Sequence, residues 1–404
     1  MENNKSQQNI PDGWQEVRLD KCLTIKHGKS QHEIEVPEGE YPILASGGVI
    51  GRTNTPLYSK PSVLIGRKGT IDRPQFMDSP FWTVDTLFYS QVKDGYSAKY
   101  LYYLFLTINW KKYSEQSGLP SLSAATISSI KVNIPLPAEQ NRIVAVLETW
   151  DNAIQLLEKK ISIIKNQKRW FSCKLLSRKL RLPGYKDDWI QTTLEGLAGS
   201  GNNIVDGPFG SNLKNSDYVE SGIPVLQGQN ITGDKFNTSG FRYVTAQKAR
   251  EVYRSNAIVD DILTVKIGSV GFSAIIDGLA GNEYAIIPAN LIRIRCRNTN
   301  TDPRLIYYLL TSRNGKRKLK ELASGNAQPA LSLGNVRKMK FLVPQSKNEQ
   351  EAIANIFNTI DREILLLSKK LEKFIEQKKY LLNNLITGNI RTPENLKIDK
   401  PERD

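Results

Sequence analysis

Glu139–Gln140–Asn141–Arg142–Ile143 opens a segment that returns 210 residues later as Glu349–Gln350–Glu351–Ala352–Ile353. The register then holds to the end of both copies, as these matched pairs show: Asp151 and Asp361, Lys160 and Lys370, Lys168 and Lys378, Leu175 and Leu385, Arg181 and Arg391, Pro183 and Pro393. A pattern that repeats in register over a segment of this length indicates an internal duplication.

Apolar residues within each copy alternate at steps of four and three, which is the spacing of a heptad seam. The first seam consists of Ile143, Leu147, Trp150, Ile154, Leu157, Ile161, Ile164, Phe171 and Leu175. The second consists of Ile353, Phe357, Ile360, Ile364, Leu367, Leu371, Phe374, Leu381 and Leu385. Each copy is therefore predicted to be one helix of about 45 residues, roughly 65 Å long.

A helix this long needs another helix to cover its seam, and the nearest candidate is its own twin. One lysine interrupts each seam at the same place, and it either fixes the register of the pair or only snorkels to solvent. Further apolar residues lie off the seam, and they favour either docked partner helices or packing against the protein's own globular parts. The residues predicted to bind a partner are Val146, Leu156, Ile163, Ile356 and Leu366.

A mixed region with its own start signal precedes each long helix. Trp14 follows Pro11–Asp12–Gly13 and Trp189 follows Pro183–Gly184–Tyr185, and a leucine comes five residues after each tryptophan. Short β-rich runs bounded by Gly, Pro and Asn lead to an aromatic helical segment in both regions. The predicted fold is α+β, with a polar tail over 1–12, a first globular domain over 13–136, a central helix over 137–183, a second globular domain over 184–345, a C-terminal helix over 346–391 and a polar tail over 392–404.

The formal charge of +15 favours a polyanionic partner, with solubility alone as the alternative. Three distant cysteines, Cys22, Cys173 and Cys296, form no disulfide framework or zinc knuckle, so we expect a reducing cytoplasm. The polar N-terminus carries no signal peptide, and no apolar run approaches the length of a membrane span.

The interiors of the two globular domains differ, although their edges repeat. Ala45–Ser–Gly–Gly–Val–Ile–Gly51 belongs to the first domain, whereas the second carries Asp206–Gly–Pro–Phe–Gly–Ser211 and Gly222–Ile–Pro–Val–Leu226. Together with the Pro–Ala–Leu–Ser332 loop, Gly13–Trp14, and Pro344 leading into Glu349–Gln350, these motifs resemble the specificity subunit of type I restriction–modification systems. The resemblance covers nearly the whole chain, and the doubled arrangement is more specific than any single motif.

The resemblance implies two target recognition domains, each reading one half of an asymmetric bipartite DNA site. It also implies that the two long helices pair antiparallel as a spacer and dock two methyltransferase subunits, after which two restriction/translocase subunits join. A subunit of this kind recognises double-stranded DNA without catalytic residues of its own. Because the domain interiors differ, the two half-sites should differ in sequence.

Candidate DNA contacts come from strand exits and polar loops. Arg67–Lys68–Gly69–Thr70 aligns with Lys266–Ile267–Gly268–Ser269, and a basic residue beside glycine lets the backbone approach a phosphate. Gln227 and Gln229 have the amide chemistry that reads adenine. For each of these, an ordinary surface turn or amide is the alternative. The predicted DNA-binding residues are Arg52, Arg67, Lys68, Gly69, Ser121, Lys214, Gln227, Gln229, Lys266, Ser269 and Gln328.

No catalytic motif, metal site or cofactor site is predicted. His27 and His32 are the only histidines and have no cysteine or carboxylate cluster beside them, and Gly28–Lys29–Ser30 lacks the first glycine of a phosphate-binding loop. Two alternatives to DNA recognition stay open: a coiled-coil structural adaptor that joins proteins without reading DNA, and an enzyme, such as a nuclease, with an unrecognised site. Salt-independent behaviour without duplex retention would favour the adaptor, and metal-dependent cleavage would favour the nuclease.

Overall fold

The computed structural model describes residues 10–115, 118–208, 210–323 and 329–396, so most of the two predicted polar tails lies outside the described residues. Contacts divide the chain into two compact units, one formed by residues 1–158 and 369–404 and the other by residues 159–368. The described α-helices are Leu19–Cys22, Ala98–Thr107, Ala124–Ser129, Pro137–Leu175, Leu194–Ala198, Ala246–Glu251, Pro303–Thr311, Arg313–Ala323, Leu333–Arg337 and Lys347–Thr387. The described 3₁₀ helices are Trp110–Tyr113, Asn215–Asp217, Gly228–Asn230 and Tyr253–Ser255.

The described residues of the first unit form three small sheets. Gln15–Arg18 pairs antiparallel with Lys131–Ile134 and so joins the two ends of the globular domain. A four-stranded antiparallel sheet has the order Leu23–Lys26, Leu87–Val92, Ser62–Gly66, Gln75–Met77. A three-stranded sheet has the order Gly48–Thr53, Tyr41–Ala45, Trp82–Thr83, and its last two strands run parallel.

The second unit repeats this plan with additions. Trp189–Thr193 pairs antiparallel with Lys340–Pro344, as the end strands of the first domain do. A four-stranded sheet has the order Ile204–Asp206, Leu291–Ile294, Ile262–Val265, Ser273–Ile275. A five-stranded sheet has the order Tyr218–Val219, Arg242–Val244, Ile223–Val225, Ala285–Ile286, Asn256–Ala257, and a ribbon joins Ile231–Thr232 to Lys235–Phe236. The added strands belong to the interior that also diverges in sequence.

Each long helix packs its seam against a globular core. Ile143 and Leu147 are buried in the same cluster as Trp14, Tyr103 and Leu385 in the first unit. The equivalent cluster of the second unit holds Ile353, Phe357, Trp189, Tyr308 and Leu175. The start of one helix and the end of the other therefore share each domain's core, which stabilises the helix ends by burial of apolar surface.

The two long helices run antiparallel within each unit. In the first unit, Trp150 packs edge-on against Phe374 with ring centroids 5.2 Å apart, and Glu139 bonds to Arg391. In the second unit, Lys168 binds Asp361. Arg181, which comes after Lys168 in the chain, binds Glu349, which comes before Asp361, so the two segments run in opposite directions. The α+β fold with two repeats and paired long helices is thus confirmed.

Both long helices are shorter than the predicted length of about 45 residues. They have 39 and 41 residues and end at Leu175 and Thr387. Arg178 follows the first long helix, and Gly388 is its counterpart after the second. Both have a left-handed backbone, with φ of 60° at Arg178 and 75° at Gly388. A left-handed residue at this place closes the last turn and stops the helix.

None of the helices in the described part of the chain is long and apolar enough to cross a membrane.

Candidate nucleic-acid interface

The basic turn of the first domain leaves the strand Ser62–Gly66 and meets the loop around Ser121. Lys68 and Ser121 form an isolated β-bridge. The Gly69 N–H donates to the Pro120 carbonyl at 2.9 Å, and the Leu122 N–H donates to the Arg67 carbonyl at 2.9 Å. The predicted cluster Arg67–Lys68–Gly69 therefore lies together with Ser121, which was predicted separately in another loop.

The second domain builds the same junction from different side chains. Ile267 and Ala330 form the equivalent bridge, and the Leu331 N–H donates to the Lys266 carbonyl at 3.0 Å. Ser269 lies exposed in this turn. Gln328, predicted for the same loop, lies outside the described residues. The structural alignment of the two junctions agrees with the alignment made from the sequence.

Each basic turn is also held by the segment that follows the short parallel strand. The Arg67 N–H donates to the Thr86 carbonyl, and the Lys266 N–H donates to the Asn290 carbonyl, both at 2.8 Å. We call the resulting surface the loop edge. It comprises residues 45–50, 67–70 and 120–122 in the first domain, and residues 226–230, 266–269 and 330–331 in the second.

Gln227 and Gln229 belong to the loop edge of the second domain. The side chain of Asn290 lies 3.0 Å from where a Cβ on Gly228 would be, which places this turn beside Lys266. The Gln227 N–H donates to Asn230 Oδ1 at 2.7 Å, and Gln229 Nε2 donates weakly to the Gly240 carbonyl at 3.4 Å. The structure thus brings both amides close to the basic turn.

The cations of the two loop edges differ in exposure and in ion pairing. Lys266 Nζ lies 2.7 Å from Asp206 Oδ2, and both side chains are less than one-fifth exposed. Lys68 is exposed, and Arg67 Nη1 makes only a long bond of 3.4 Å to the Asp85 carbonyl. An ion-paired lysine has less charge to offer a phosphate, so the first loop edge is the more open cationic surface.

Arg52 and Lys214 have local contacts of their own. Arg52 donates to the carbonyls of Gly39 and Glu40, at 2.5 and 2.7 Å, and so holds a turn of the chain. The Lys214 N–H donates to Asp217 Oδ2 at 2.7 Å, and the hydrogen bond from this backbone lowers the pKa of the Asp217 carboxyl. The Arg52 side chain thus has a structural contact, whereas Lys214 uses only its backbone in this bond and its side chain is exposed; a DNA-binding role for either side chain stays a prediction.

A basic helix that the sequence did not predict as a site contacts Gly271 and Phe272, just beyond the second loop edge. A Cβ on Gly271 would lie 3.8 Å from Leu319 in the helix Arg313–Ala323, and Lys316 Nζ lies 5.3 Å from the Phe272 ring centroid. The helix lines a groove of about 1490 Å³, where burial lowers the pKa of Lys318. Five of the eight residues from Arg313 to Lys320 are basic, and this density is the sequence feature from which a nucleic-acid contact could have been predicted.

Two matched polar clusters tie the long helices to the domains. Trp14 Nε1 donates to Glu139 at 3.2 Å, and Arg391 bonds to both oxygens of the same carboxylate. In the second unit, Trp189 and Arg181 bind Glu349 in the same way. Each duplicated glutamate is therefore buried but paired, as a carboxylate in an apolar core requires.

The two lysines that interrupt the seam form ion pairs. Lys378 binds Asp151, whose Oδ2 accepts the Tyr103 hydroxyl at 2.6 Å. Lys168 binds Asp361 in the corresponding cluster with Tyr308. Burial, followed by the neighbouring aspartate, raises the pKa of both tyrosines. Pairing with the other helix supports a role in register, which remains a prediction.

The residues predicted to bind a partner fall into two groups. Val146 and Ile356 are partly buried against the cores of their own domains, which was the alternative considered for them. Leu156, Ile163 and Leu366 are 67%, 49% and 58% exposed on the long helices. Of the two groups, the second alone has large exposed apolar side chains, and partner binding by these residues stays a prediction.

Among the described residues, no three His, Cys, Asp or Glu side chains are grouped so that they could hold a metal ion. The polar side chains of the loop edges are amides, hydroxyls and cations. They suit contacts to phosphates and base edges.

Comparison with known families agrees with this geometry. The family model described as the type I restriction modification DNA specificity domain matches residues 11–166 and 212–377. The chain belongs to this family. Its role is that of the DNA specificity subunit of a type I restriction–modification system, as the repeated domain predicted.

Relatives and solved structures span nearly the whole chain. The type I restriction enzyme MjaVIII specificity subunit of Methanocaldococcus jannaschii is 24% identical over 95% of this chain and 94% of its own. The S subunit of a type I restriction–modification system from M. genitalium has a TM-score of 0.66 and 18% identity over 94% of this chain and 97% of that one. A chain from a study of complex assembly in the type I system has a TM-score of 0.56 and 14% identity over 94% and 99%. The structures share the fold.

Proposed function

We propose that the two domains of this specificity subunit read two unlike halves of one double-stranded DNA site. The observation that carries this proposal is the loop edge, which both domains build from the same backbone junctions with different side chains. Because DNA has local two-fold symmetry, two domains with the same backbone arrangement approach the duplex in equivalent ways. Their different side chains then select different bases.

Phosphate contacts come from the cations at and beside the loop edges. Arg67 and Lys68 supply them in the first domain, and Arg313 supplies one in the second, from the basic helix Arg313–Ala323 in which Lys316 and Arg317 are ion-paired with Asp234 and Glu321. The formal charge of +15 contributes a sequence-independent attraction to the duplex. Base selection then falls to the side chains between these cations.

The long helices act as the spacer and as the docking site for two methyltransferase subunits. The exposed apolar residues Leu156, Ile163 and Leu366 support docking, because apolar side chains off a paired seam are suited to cover by further helices. Two restriction/translocase subunits complete the complex. The chain itself contributes recognition and not catalysis, and its three unpaired cysteines suit a reducing cytoplasm.

A domain exchange tests this proposal. Residues 13–136 are replaced by the corresponding domain of another specificity subunit, and the modified bases of the host genome are mapped before and after. We expect one half of the methylated motif to change and the other half to stay. A change in both halves, or the absence of any bipartite motif in cells that carry the intact complex, would reject the modular reading.

A further inference from the structure

The two domains place the same strand exit at the loop edge. Tyr41–Ala45 runs parallel to Trp82–Thr83, and Ile223–Val225 runs parallel to Ala285–Ile286. The carbonyls that accept from the two basic turns belong to Thr86 and Asn290. Thr86 lies four residues after Trp82, which pairs with Ile43, and Asn290 lies four residues after Ile286, which pairs with Val225. The segments that leave Tyr41–Ala45 and Ile223–Val225 are therefore structural equivalents.

The segments that leave these two equivalent strands carry different chemistry. The second domain presents the amides of Gln227 and Gln229. The first presents Ser46–Gly47–Gly48 and then the aliphatic side chains of Val49 and Ile50, which are 63% and 51% exposed. In this register Gln227 and Gln229 match Ala45 and Gly47, and the first domain places two large exposed aliphatic side chains just beyond them along the hairpin.

A β-bulge exposes both side chains. Ile43 pairs with Gly51 and Leu44 pairs with Val49, so that Ile50 is the extra residue of the hairpin. In a regular strand, successive side chains point to opposite faces of the sheet. A bulge re-aims a side chain at the cost of a ladder hydrogen bond. In this hairpin the bulge interrupts the alternation that would point the side chains of Val49 and Ile50 to opposite faces.

The hairpin lies against the cationic turn and is open beyond its tip. A Cβ on Gly69 would lie 3.9 Å from Ser46 Oγ, and Gln75 Nε2 donates to the Ala45 carbonyl at 2.9 Å. A Cβ on Gly47 or Gly48 would meet no atom within 4 Å. Glycines at the tip let another backbone approach closely.

We propose that Val49 and Ile50 determine specificity by contacting the 5-methyl group of thymine in the major groove of the half-site read by the first domain. The thymine methyl is the apolar feature of the major groove, and aliphatic side chains are its usual contacts. The patch is only two residues wide, and its hairpin lies beside Gly69 in the turn that carries Arg67 and Lys68, so charge complementarity favours DNA over an apolar protein surface. The inference rests on the proposed function and names the chemistry by which one domain reads.

Replacing thymine by uracil removes only this methyl group. The full-length chain is titrated with labelled duplexes that carry the mapped motif, with uracil at each thymine of the first half-site in turn. We expect one or two positions at which uracil weakens binding about fourfold, the loss that corresponds to one buried methyl group. Any change in binding caused by uracil in the half-site read by the second domain should not depend on Val49 or Ile50.

The variant Val49→Ala/Ile50→Ala should bind the thymine and uracil duplexes equally well, because the methyl contact is already absent. Leu106→Ser, an exposed aliphatic change on the helix Ala98–Thr107, is the matched control and should keep the thymine preference. Motif mapping in cells that express the double variant should show relaxed thymine selection in one half-site only. The uracil titration of the unaltered chain decides the matter even if the double variant fails to fold.

Equal binding of uracil and thymine at every position, or a first half-site without an A·T pair, would overturn the proposal while leaving bipartite recognition intact. Loss of complex assembly in the double variant, with thymine selection unchanged, would assign the patch to a protein partner and equally overturn it. A chain whose complex has no sequence preference at all would instead contradict the proposed function.

Discussion

Lys168 Nζ lies 2.6 and 2.7 Å from the two carboxylate oxygens of Asp361, on the other long helix. The matched residues Lys378 and Asp151 form the same pair in the first unit. A lysine in a heptad seam is satisfied only where the partner helix places an acceptor opposite it, and a shifted register would remove that acceptor.

The coupling between Lys168 and Asp361 should be measurable. We expect a double-mutant cycle with Lys168→Met and Asp361→Asn, read by urea unfolding, to give a coupling of about 1 kcal/mol, because both side chains are about two-thirds buried. The control cycle is Lys160 with Glu363, a pair at 3.4 Å whose side chains are about half exposed. Its coupling should be below about 0.5 kcal/mol, and equal values for the two cycles would contradict a register role.

Removal of the Arg181 side chain should be costly. Glu349 is fully buried, and Arg181→Ala would leave its carboxylate with the Trp189 indole as its remaining charge-stabilising donor. We expect a loss of about 3 kcal/mol, the range seen when one partner of a buried pair is deleted. Thermal unfolding measures it. Arg181→Ala combined with Glu349→Leu should lose less than Arg181→Ala alone, and a larger loss in the double variant would argue against the buried-charge explanation.

The left-handed residues that end the two long helices should respond oppositely to substitution. Arg178→Gly removes the strain of a side chain at φ of 60° and should raise stability by about 0.5–1 kcal/mol. Gly388→Ala should lower stability by more than about 1 kcal/mol, because its Cβ would also lie 2.5 Å from Pro11. Chemical denaturation of the two variants checks both signs, and a destabilising Arg178→Gly would show that the arginine side chain contributes more than its strain costs.

Salt dependence should count the phosphate contacts. Each of the changes Arg67→Gln and Lys68→Gln should reduce the slope of log binding constant against log salt by about 0.9, without a change in sequence preference. Arg313→Gln in the basic helix should have the same effect. Lys131→Gln alters a lysine that is similarly exposed but paired with Glu16, and is the control with an unchanged slope. Slopes that do not respond to any of the first three changes would remove these cations from the DNA-binding surface.

The long helices should set the distance between the half-sites. Lengthening one of them by about one turn should change the number of base pairs between the two halves of the methylated motif, while the bases within each half stay the same. Mapping of modified bases in cells that carry the lengthened chain measures both quantities. An unchanged gap would reject the helices as the spacer.

The duplication, the two long helices and their seams were determined by the sequence itself, because a helix and its apolar face follow from local spacing. The end of the second helix was readable from Gly388, since glycine adopts the left-handed conformation readily. The matching end at Arg178 was not, because nothing in its side chain distinguishes a left-handed residue from a helical one.

Only the tertiary structure decided which candidates meet. Ser121 reaches Lys68, and the hairpin that carries Val49 and Ile50 leaves the strand equivalent to the one before Gln227 and Gln229, through strand pairings between residues far apart in the chain. The tertiary structure also turned Val146 and Ile356 toward their own domains and paired Lys266 with Asp206. Local pattern specifies which face of an element is apolar, whereas the neighbour of that face depends on sheet order and bulges that no single segment encodes.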